Sequence, residues 1–175
     1  SGTGKTTIVQ RLLKEFTDLH RSISCTTRAK RPGEKTGRDY LFVDENSFRE
    51  MVNHGEFFEW EEVHGALYGT PKWPLLRARE EGKDTVLDID TRGALHLKKA
   101  FPDSCLIFLL PPSLQVLEER LRSRQTEEAV SMKRRLENAR REMGEKKNFD
   151  YFIINDDLNR AYEEIRSIII KKRAE

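Results

Sequence analysis

Strand-length apolar runs alternate along this chain with longer stretches whose apolar positions recur every three or four residues, the two periods of strands and amphipathic helices. From Lys5 to Phe16 the apolar positions are Ile8, Val9, Leu12, Leu13 and Phe16, which predicts a helix with one buried face. Ser22 to Ser24 and Tyr40 to Val43 read as short strands, separated by a Pro/Gly-containing loop from Cys25 to Asp39. Asp44 to Gly55 reads as a helix capped by Asp44 or Asn46, with Phe48, Met51 and Val52 on its apolar face and Gly55 ending it. Phe57 to Val63 is strand-like, and Gly65 turns the chain into a second strand near Leu67 to Gly69. Pro71 suits the first turn of a helix running to about Gly82.

The second half keeps the alternation. Thr85 to Ile89 reads as a buried strand ending in Asp88-Ile89-Asp90, followed by a helix from about Arg92 to Ala100. Cys105 to Leu110 is nearly all apolar, as in a central parallel strand, and Pro111-Pro112 stops it. Ser113 can cap a helix to about Arg124; a polar stretch from Gln125 to Glu128 precedes a long charged helix to about Lys147. Tyr151 to Ile154 is the last strand, and Leu158, Ala161, Tyr162, Ile165, Ile168 and Ile169 form the face of the final helix. Strands alternating with helices predict an α/β fold, a parallel sheet with helices on both faces. The short antiparallel-type strands from about Arg28 to Thr70 break that rhythm and predict an inserted subdomain. Residues 1–27 and 71–175 then form the core, with a helical lid at about 120–147.

Length and composition narrow the class. The chain has 175 residues, enough for one domain with a real core, and is 35% charged and 37% hydrophobic, a globular composition with a solvated surface. A net charge of +2 is too small to argue for nucleic acid. No run is long or apolar enough to span a membrane, and no signal-peptide pattern is present. Cys25 and Cys105 form no metal pattern, and Cys105, in an apolar run, reads as a buried thiol. His20, His54, His64 and His96 lack ligand spacing and read as structural or surface residues.

The chemistry begins at the first residues. Ser1-Gly2-Thr3-Gly4-Lys5-Thr6-Thr7 contains the closing half of a phosphate-binding loop, G-x-x-x-x-G-K-[ST]; the opening Gly and the strand feeding the loop are expected before Ser1. Glycines there let backbone N–H groups face a phosphate, Lys5 supplies a point charge for the outer phosphates, and the Thr6 hydroxyl can ligate Mg²⁺. Asp88 and Asp90, at the end of an apolar strand, can bring an acidic group to that ion; the plainer reading of such an acid is a helix cap or turn. Six basic residues between Arg21 and Arg38 face one acid, Glu34, and Glu56, Glu59, Glu61 and Glu62 follow. That charge order suits a ligand with an anionic end and a donor-rich end. For Arg28 and Arg31, in a loop where no helix demands them, phosphate binding is the favoured reading. For Arg122, Lys133, Arg134, Arg140 and Arg141 a solvated helix face is.

Ser24-Cys25-Thr26-Thr27-Arg28, Arg31-Pro32-Gly33-Glu34, Gly37-Arg38-Asp39-Tyr40, Glu56-Phe57-Phe58-Glu59-Trp60, Tyr68-Gly69-Thr70, Asp88-Ile89-Asp90 and Asn155-Asp156-Asp157 occur in that order. Together they resemble the guanylate kinases, P-loop nucleoside monophosphate kinases, here of bacterial type. The resemblance runs over nearly the whole chain. It implies ATP-dependent phosphorylation of GMP, and of dGMP, with Mg²⁺. It implies that Arg28, Arg31, Tyr40 and Tyr68 hold the GMP phosphate and that Ser24, Glu59, Thr70 and Asp90 surround the guanine. Gly2, Thr3, Gly4, Lys5, Thr6 and Thr7 would hold the ATP phosphates, with Asn155 near the adenine. Lys5, Arg28, Arg120, Arg124 and Arg135 would serve the transferred phosphoryl group, and Thr6 and Asp88 the Mg²⁺, directly or through water. Thr70 stands where Ser is common, and Gln125 where Gly is usual after Arg124.

The residue chemistry agrees with that implication. Guanine presents N1–H and N2–H donors beside the O6 acceptor; an ionised Glu59 can accept both, and Thr70 can donate to O6. Adenine presents an acceptor at N1 instead, a mismatch that disfavours AMP. No general base is needed, because the attacking phosphate oxygen is already anionic, and neither His nor Cys is required as a nucleophile. The arginine-bearing lid and the basic insert would close to exclude water. The alternative is a non-catalytic guanylate-kinase-like scaffold that binds protein, against which the retained Lys5 and Thr6 argue. A cytoplasmic monomer or weak homodimer, with no nucleic-acid or membrane partner, is expected.

Overall fold

The computed structural model describes residues 3–63, 65–122, 144 and 148–175. In chain order the elements are α1 (Lys5–Glu15), β1 (His20–Arg21), β2 (Cys25–Thr26), β3 (Leu41–Phe42), α2 (Glu45–Asn53), β4 (Phe57–Val63) and β5 (Ala66–Pro71). There follow α3 (Lys72–Glu80), β6 (Thr85–Val86), α4 (Thr91–Ala100), β7 (Ile107–Leu110), α5 (Leu114–Arg122), β8 (Tyr151–Ile154) and α6 (Leu158–Arg173). The chain forms two compact units, Phe16–Ser104 on the one hand and Ser1–Glu15 with Cys105–Glu175 on the other. The α/β class is as the pattern predicts: β1 pairs with β6, and β7 with β8, both in parallel. Among the described residues no helix is long and apolar enough to cross a membrane. The polar stretch from Gln125 to Glu128 and the long charged helix expected beyond it lie outside the described residues, Gly144 aside.

In the unit Phe16–Ser104 a four-stranded sheet has the order β3-β2-β5-β4. One face carries the buried residues Cys25, Phe48, Phe57 and Leu67, with Leu41, Val43, Met51 and Val52 packed on them. Asp44 caps α2 by accepting the Ser47 N–H, as its place before the apolar face predicts. Phe48 reaches up from α2 and stacks on Phe57 of β4 with centroids 4.6 Å apart. Gly69 makes that stack possible: a Cβ there would lie 2.8 Å from the Phe57 ring. The β4–β5 register slips between Phe57 and Glu59, so Phe57 faces this core while Glu59 stands opposite Thr70 on the other side.

In the other unit α1 lies against α6. Ile8, Val9 and Leu12 of α1 and Ala161, Tyr162 and Ile165 of α6 are buried. At the rim Arg11 donates to the Asn159 side chain at 2.7 Å and sits 4.0 Å over the Tyr162 ring. Glu15 accepts from the Tyr162 hydroxyl and from Arg166, and these donors hold its carboxyl below the usual range. Ser113 caps α5 through the Val116 N–H, as predicted.

Several expectations need correction. Ser22 to Ser24 is not a strand; the pairing falls on either side of it, in β1 and β2. The strand expected over Thr85 to Ile89 is paired only at Thr85 and Val86, so Asp88 and Asp90 stand on an irregular segment. Pro71 ends β5 and is the residue before α3, because its carbonyl side is still extended at ψ 142°. Cys105 is only half-buried, whereas Cys25 is fully buried, and burial pushes the Cys25 thiol up to about 11. Apolar neighbours in sequence misled for Cys105, since it precedes β7 and lies outside its ladder.

Gly69→Ala is expected to lower stability by about 1–3 kcal/mol, the usual cost of overpacking a filled core. Equilibrium urea unfolding measures it; an unchanged midpoint would show that the Phe57 ring has room to move.

Candidate active site

The phosphate loop is held by a residue far away in sequence. Gly4 has φ +92°, a left-handed conformation that suits glycine, and a Cβ on it would lie 2.4 Å from Asn155 Nδ2. Asn155, just past β8, is 3% exposed and donates through that Nδ2 to the Thr3 carbonyl at 2.7 Å. Its backbone is held in turn: its N–H donates to the Leu110 carbonyl at 2.7 Å, and its carbonyl accepts Arg120 Nη2 at 3.0 Å. The Gly4 carbonyl accepts the Ile8 N–H at 3.1 Å and opens α1. The loop thus runs straight into a helix N-terminus, whose partial positive charge favours an anion. Lys5 is half-buried and Thr6 exposed at that end. The Thr3 hydroxyl is buried with no hydrogen-bond partner among the described residues. An orphaned buried hydroxyl at Thr3, a left-handed glycine and a Lys-Thr pair at a helix start fit a magnesium-bound polyphosphate.

A second group of expected residues meets on the β4–β5 hairpin. Glu59 and Thr70 are cross-strand partners, and the Thr70 hydroxyl donates to Glu59 Oε1 at 2.5 Å. Thr70 is 1% exposed. Burial raises the Glu59 carboxyl above its ordinary range, against the Thr70 bond, and the charge of Asp90 adds to the rise. Asp90 caps α4 and accepts the Gly93 N–H at 2.8 Å. The plainer reading of an acid at that place therefore holds for Asp90, and it borders Glu59 as well. Glu61, two residues on and opposite Tyr68, shares a hydrogen bond with Asp90 and is pushed up to about 7.

The basic end lies in the same unit. Arg28 Nη2 donates to both oxygens of Glu34, at 2.8 and 3.0 Å, and its Nη1 to the Ala29 carbonyl at 2.7 Å. Its guanidinium carbon sits 5.5 Å from the Tyr40 centroid and 5.6 Å from that of Phe42. Tyr40 and Tyr68 meet edge to face at 6.0 Å, and burial lifts the Tyr40 hydroxyl. Thr26 and Thr27 fix the backbone here, accepting the Arg28 and Leu67 N–H groups respectively. Arg31 is exposed and enters through its backbone, whose N–H donates to Glu34 at 2.8 Å. The Arg28 guanidinium holds the Glu34 carboxyl below its usual range. Ser24 is half-buried, and its carbonyl accepts the Leu41 N–H. Asp88 is half-buried after β6, and its charge is felt at Tyr40. Gly2, Arg124 and Arg135 lie outside the described residues.

The guanylate kinase family profile matches residues 1–172. The chain belongs to the guanylate kinase family. A guanylate kinase of Syntrophotalea carbinolica is 51% identical over 170 residues, covering 97% of this chain and 81% of the relative. That of Thermotoga maritima is 45% identical over 174 residues, covering 99% and 84% respectively. A crystal structure of guanylate kinase from Anaplasma phagocytophilum superposes with TM-score 0.78 at 33% identity, over 97% of this chain and 82% of that one.

Three residues of this candidate site escaped the sequence reading. Glu34 was noted as the lone acid of the basic loop and as part of the Arg31-Pro32-Gly33-Glu34 motif but was given no role, yet it organises Arg28 and the Arg31 backbone. Gly93 touches Glu59 and Asp90, and Glu61 was one acid in a run. A Gly inside a predicted helix was the one available signal for Gly93.

Glu61 gives a pH dependence with a defined sign. A carboxyl raised in the folded state binds more protons than in the unfolded chain. Its contribution to stability is therefore complete below the ordinary carboxylate range and is lost as pH rises through about 7. Thermal melts of wild type and Glu61→Gln from pH 5 to 8 should show the wild type losing more Tm across that window. Parallel curves would remove Glu61 as the cause.

Proposed function

We propose that this chain transfers the terminal phosphoryl group of ATP to GMP, giving ADP and GDP, and that dGMP is a second acceptor. Family membership supports the reaction. The observation that carries the acceptor side is one hairpin presenting Glu59 with Thr70 and, two residues along β5, Tyr68 beside Arg28 and Tyr40. Residues two apart on a strand share a face, so a carboxylate for a purine and a guanidinium for a phosphate lie along one surface.

In this reading Glu59 accepts guanine N1–H and N2–H. Those donors replace the Thr70 proton on Glu59, and the Thr70 hydroxyl then turns to O6, so no polar group is left unpaired. Asp90 and Ser24 border the base. Arg28, Arg31, Tyr40 and Tyr68 hold the phosphate, and Glu34 keeps the Arg28 fork oriented. Gly2, Thr3, Gly4, Lys5, Thr6 and Thr7 hold the ATP phosphates. Asn155 buttresses that loop; its amide is committed to Thr3, so any approach to adenine uses its other atoms. Arg120, Arg124 and Arg135 steady the charge that spreads over the moving phosphoryl group. Thr6 and Asp88 would hold Mg²⁺, which when bound neutralises oxygens of the outer phosphates. Residues 28–70 would serve as the GMP-holding part and residues 120–147 as a lid on the core. The proposal includes a cytoplasmic setting, where both nucleotides are found, and a monomer or weak homodimer working without nucleic acid or membrane. Family membership lends no support to a non-catalytic scaffold.

A coupled assay of ADP release should show turnover with Mg·ATP and GMP, and rejection of AMP by roughly 10⁴–10⁵ in kcat/KM, the scale set by a buried polar mismatch. Comparable turnover of AMP would overturn the assignment of Glu59 and Thr70. The two ends should also separate by mutation. Lys5→Ala is expected to lower kcat by about 10²-fold or more with the fold intact, and Glu59→Gln to raise KM for GMP while leaving KM for ATP unaltered. Equal losses for both nucleotides in Glu59→Gln would place that residue elsewhere.

A further inference from the structure

Helix α4 carries a glycine at its third position, although glycine is a poorer helix former than alanine. Neither the backbone nor the cap asks for it. Gly93 is not among the glycines with positive φ, and the N–H that it gives to Asp90 is one that any residue but proline has. The space beside it is the constraint. A Cβ at Gly93 would lie 3.3 Å from Glu59 Cδ, 3.5 Å from Glu59 Cγ and 3.4 Å from Asp90 Oδ1.

Glu59 has little room to retreat. On its other flank stands the buried Thr70, whose hydroxyl is 2.5 Å from Glu59 Oε1. Its neighbour Phe58 is packed edge-on against Phe101, the C-cap of α4, at 5.1 Å. Consecutive residues of β4 therefore touch the two ends of α4, and the Glu59 carboxylate occupies a slot between β5 and the first turn of that helix. The missing side chain at Gly93 gives the slot its width.

We propose that Gly93 is a positioning residue for guanine recognition: the absence of its Cβ sets where the Glu59 carboxylate stands. The proposal rests on the reading of Glu59 as the guanine acceptor. One added methyl group displaces that carboxylate by a few tenths of an ångström and misaligns two parallel N–H bonds. The phosphate loop at the start of α1 is not involved. Helix propensity meanwhile improves, so a merely structural role and a positioning role predict opposite things for the same variant.

The test is Gly93→Ala, read by KM for GMP, KM for ATP and Tm, with Gly93→Ser as a second variant. The expected result is an increase of about three- to tenfold in KM for GMP, the scale of a sub-ångström misplacement, with KM for ATP unchanged and Tm equal or higher. An unchanged KM for GMP overturns the proposal. So does a parallel rise in both KM values with a lowered Tm, which is general damage. Absence of GMP turnover in the wild type would sink the proposed function instead. In that event the ¹³Cδ resonance of Glu59, compared between wild type and Gly93→Ala without nucleotide, still reads the displacement, and an unshifted resonance counts against Gly93.

Discussion

A slip of register in one strand organises the unit Phe16–Ser104. Phe57 and Trp60 both lie near Phe48, with centroids 4.6 and 6.4 Å away, although residues three apart on a regular strand face opposite sides. The irregularity between Phe57 and Glu59 reconciles them. It buries Phe57 in the core below the sheet and turns Phe58 and Glu59 toward α4. Without it, either an aromatic ring would leave the core or the carboxylate would enter it, and burying an unpaired carboxylate costs far more than a bulge.

Charge in that unit is arranged as paired opposites and crowded likes. At the basic end Glu34 holds Arg28, so each ion favours the charged form of the other. At the other end Glu59, Glu61 and Asp90 crowd together: burial raises Glu59, and the hydrogen bond shared with Asp90, followed by burial, raises Glu61. An arriving ligand that brings an anion to the first and N–H donors to the second relieves the crowding and finds a prepared fork. The phosphate loop follows the same logic with backbone in place of side chains. Asn155 fills the space beside Gly4 and fastens Thr3, so a distant side chain fixes the shape of the loop.

What local pattern determines was readable in the chain. The bounds of β4 and β8, the Asp44 cap, the Ser113 cap and the apolar face of α6 depend on period and on neighbours a turn away, so the residue string contains them. The glutamate, tyrosines and arginine of the hairpin and its loop could be named from a family resemblance because their order along the chain is distinctive. Strand length was read less well at Thr85 to Ile89, since an apolar run says that a segment is enclosed and not how many of its N–H groups find a partner. The burial of Cys105 was misjudged for the same reason.

Other features exist only in three dimensions. Gly93 is pressed by a residue 34 positions earlier, and Asn155 supports a loop 152 positions earlier. A glycine inside a helix, or an asparagine after a strand, has no local feature that says which distant atom will lie against it. Where the chain is helical or extended, and which side chains could meet a nucleotide, followed from local order along it. Which of them stand close enough to fix one another depends on packing between segments that folding brings together from far apart, and no local pattern encodes that.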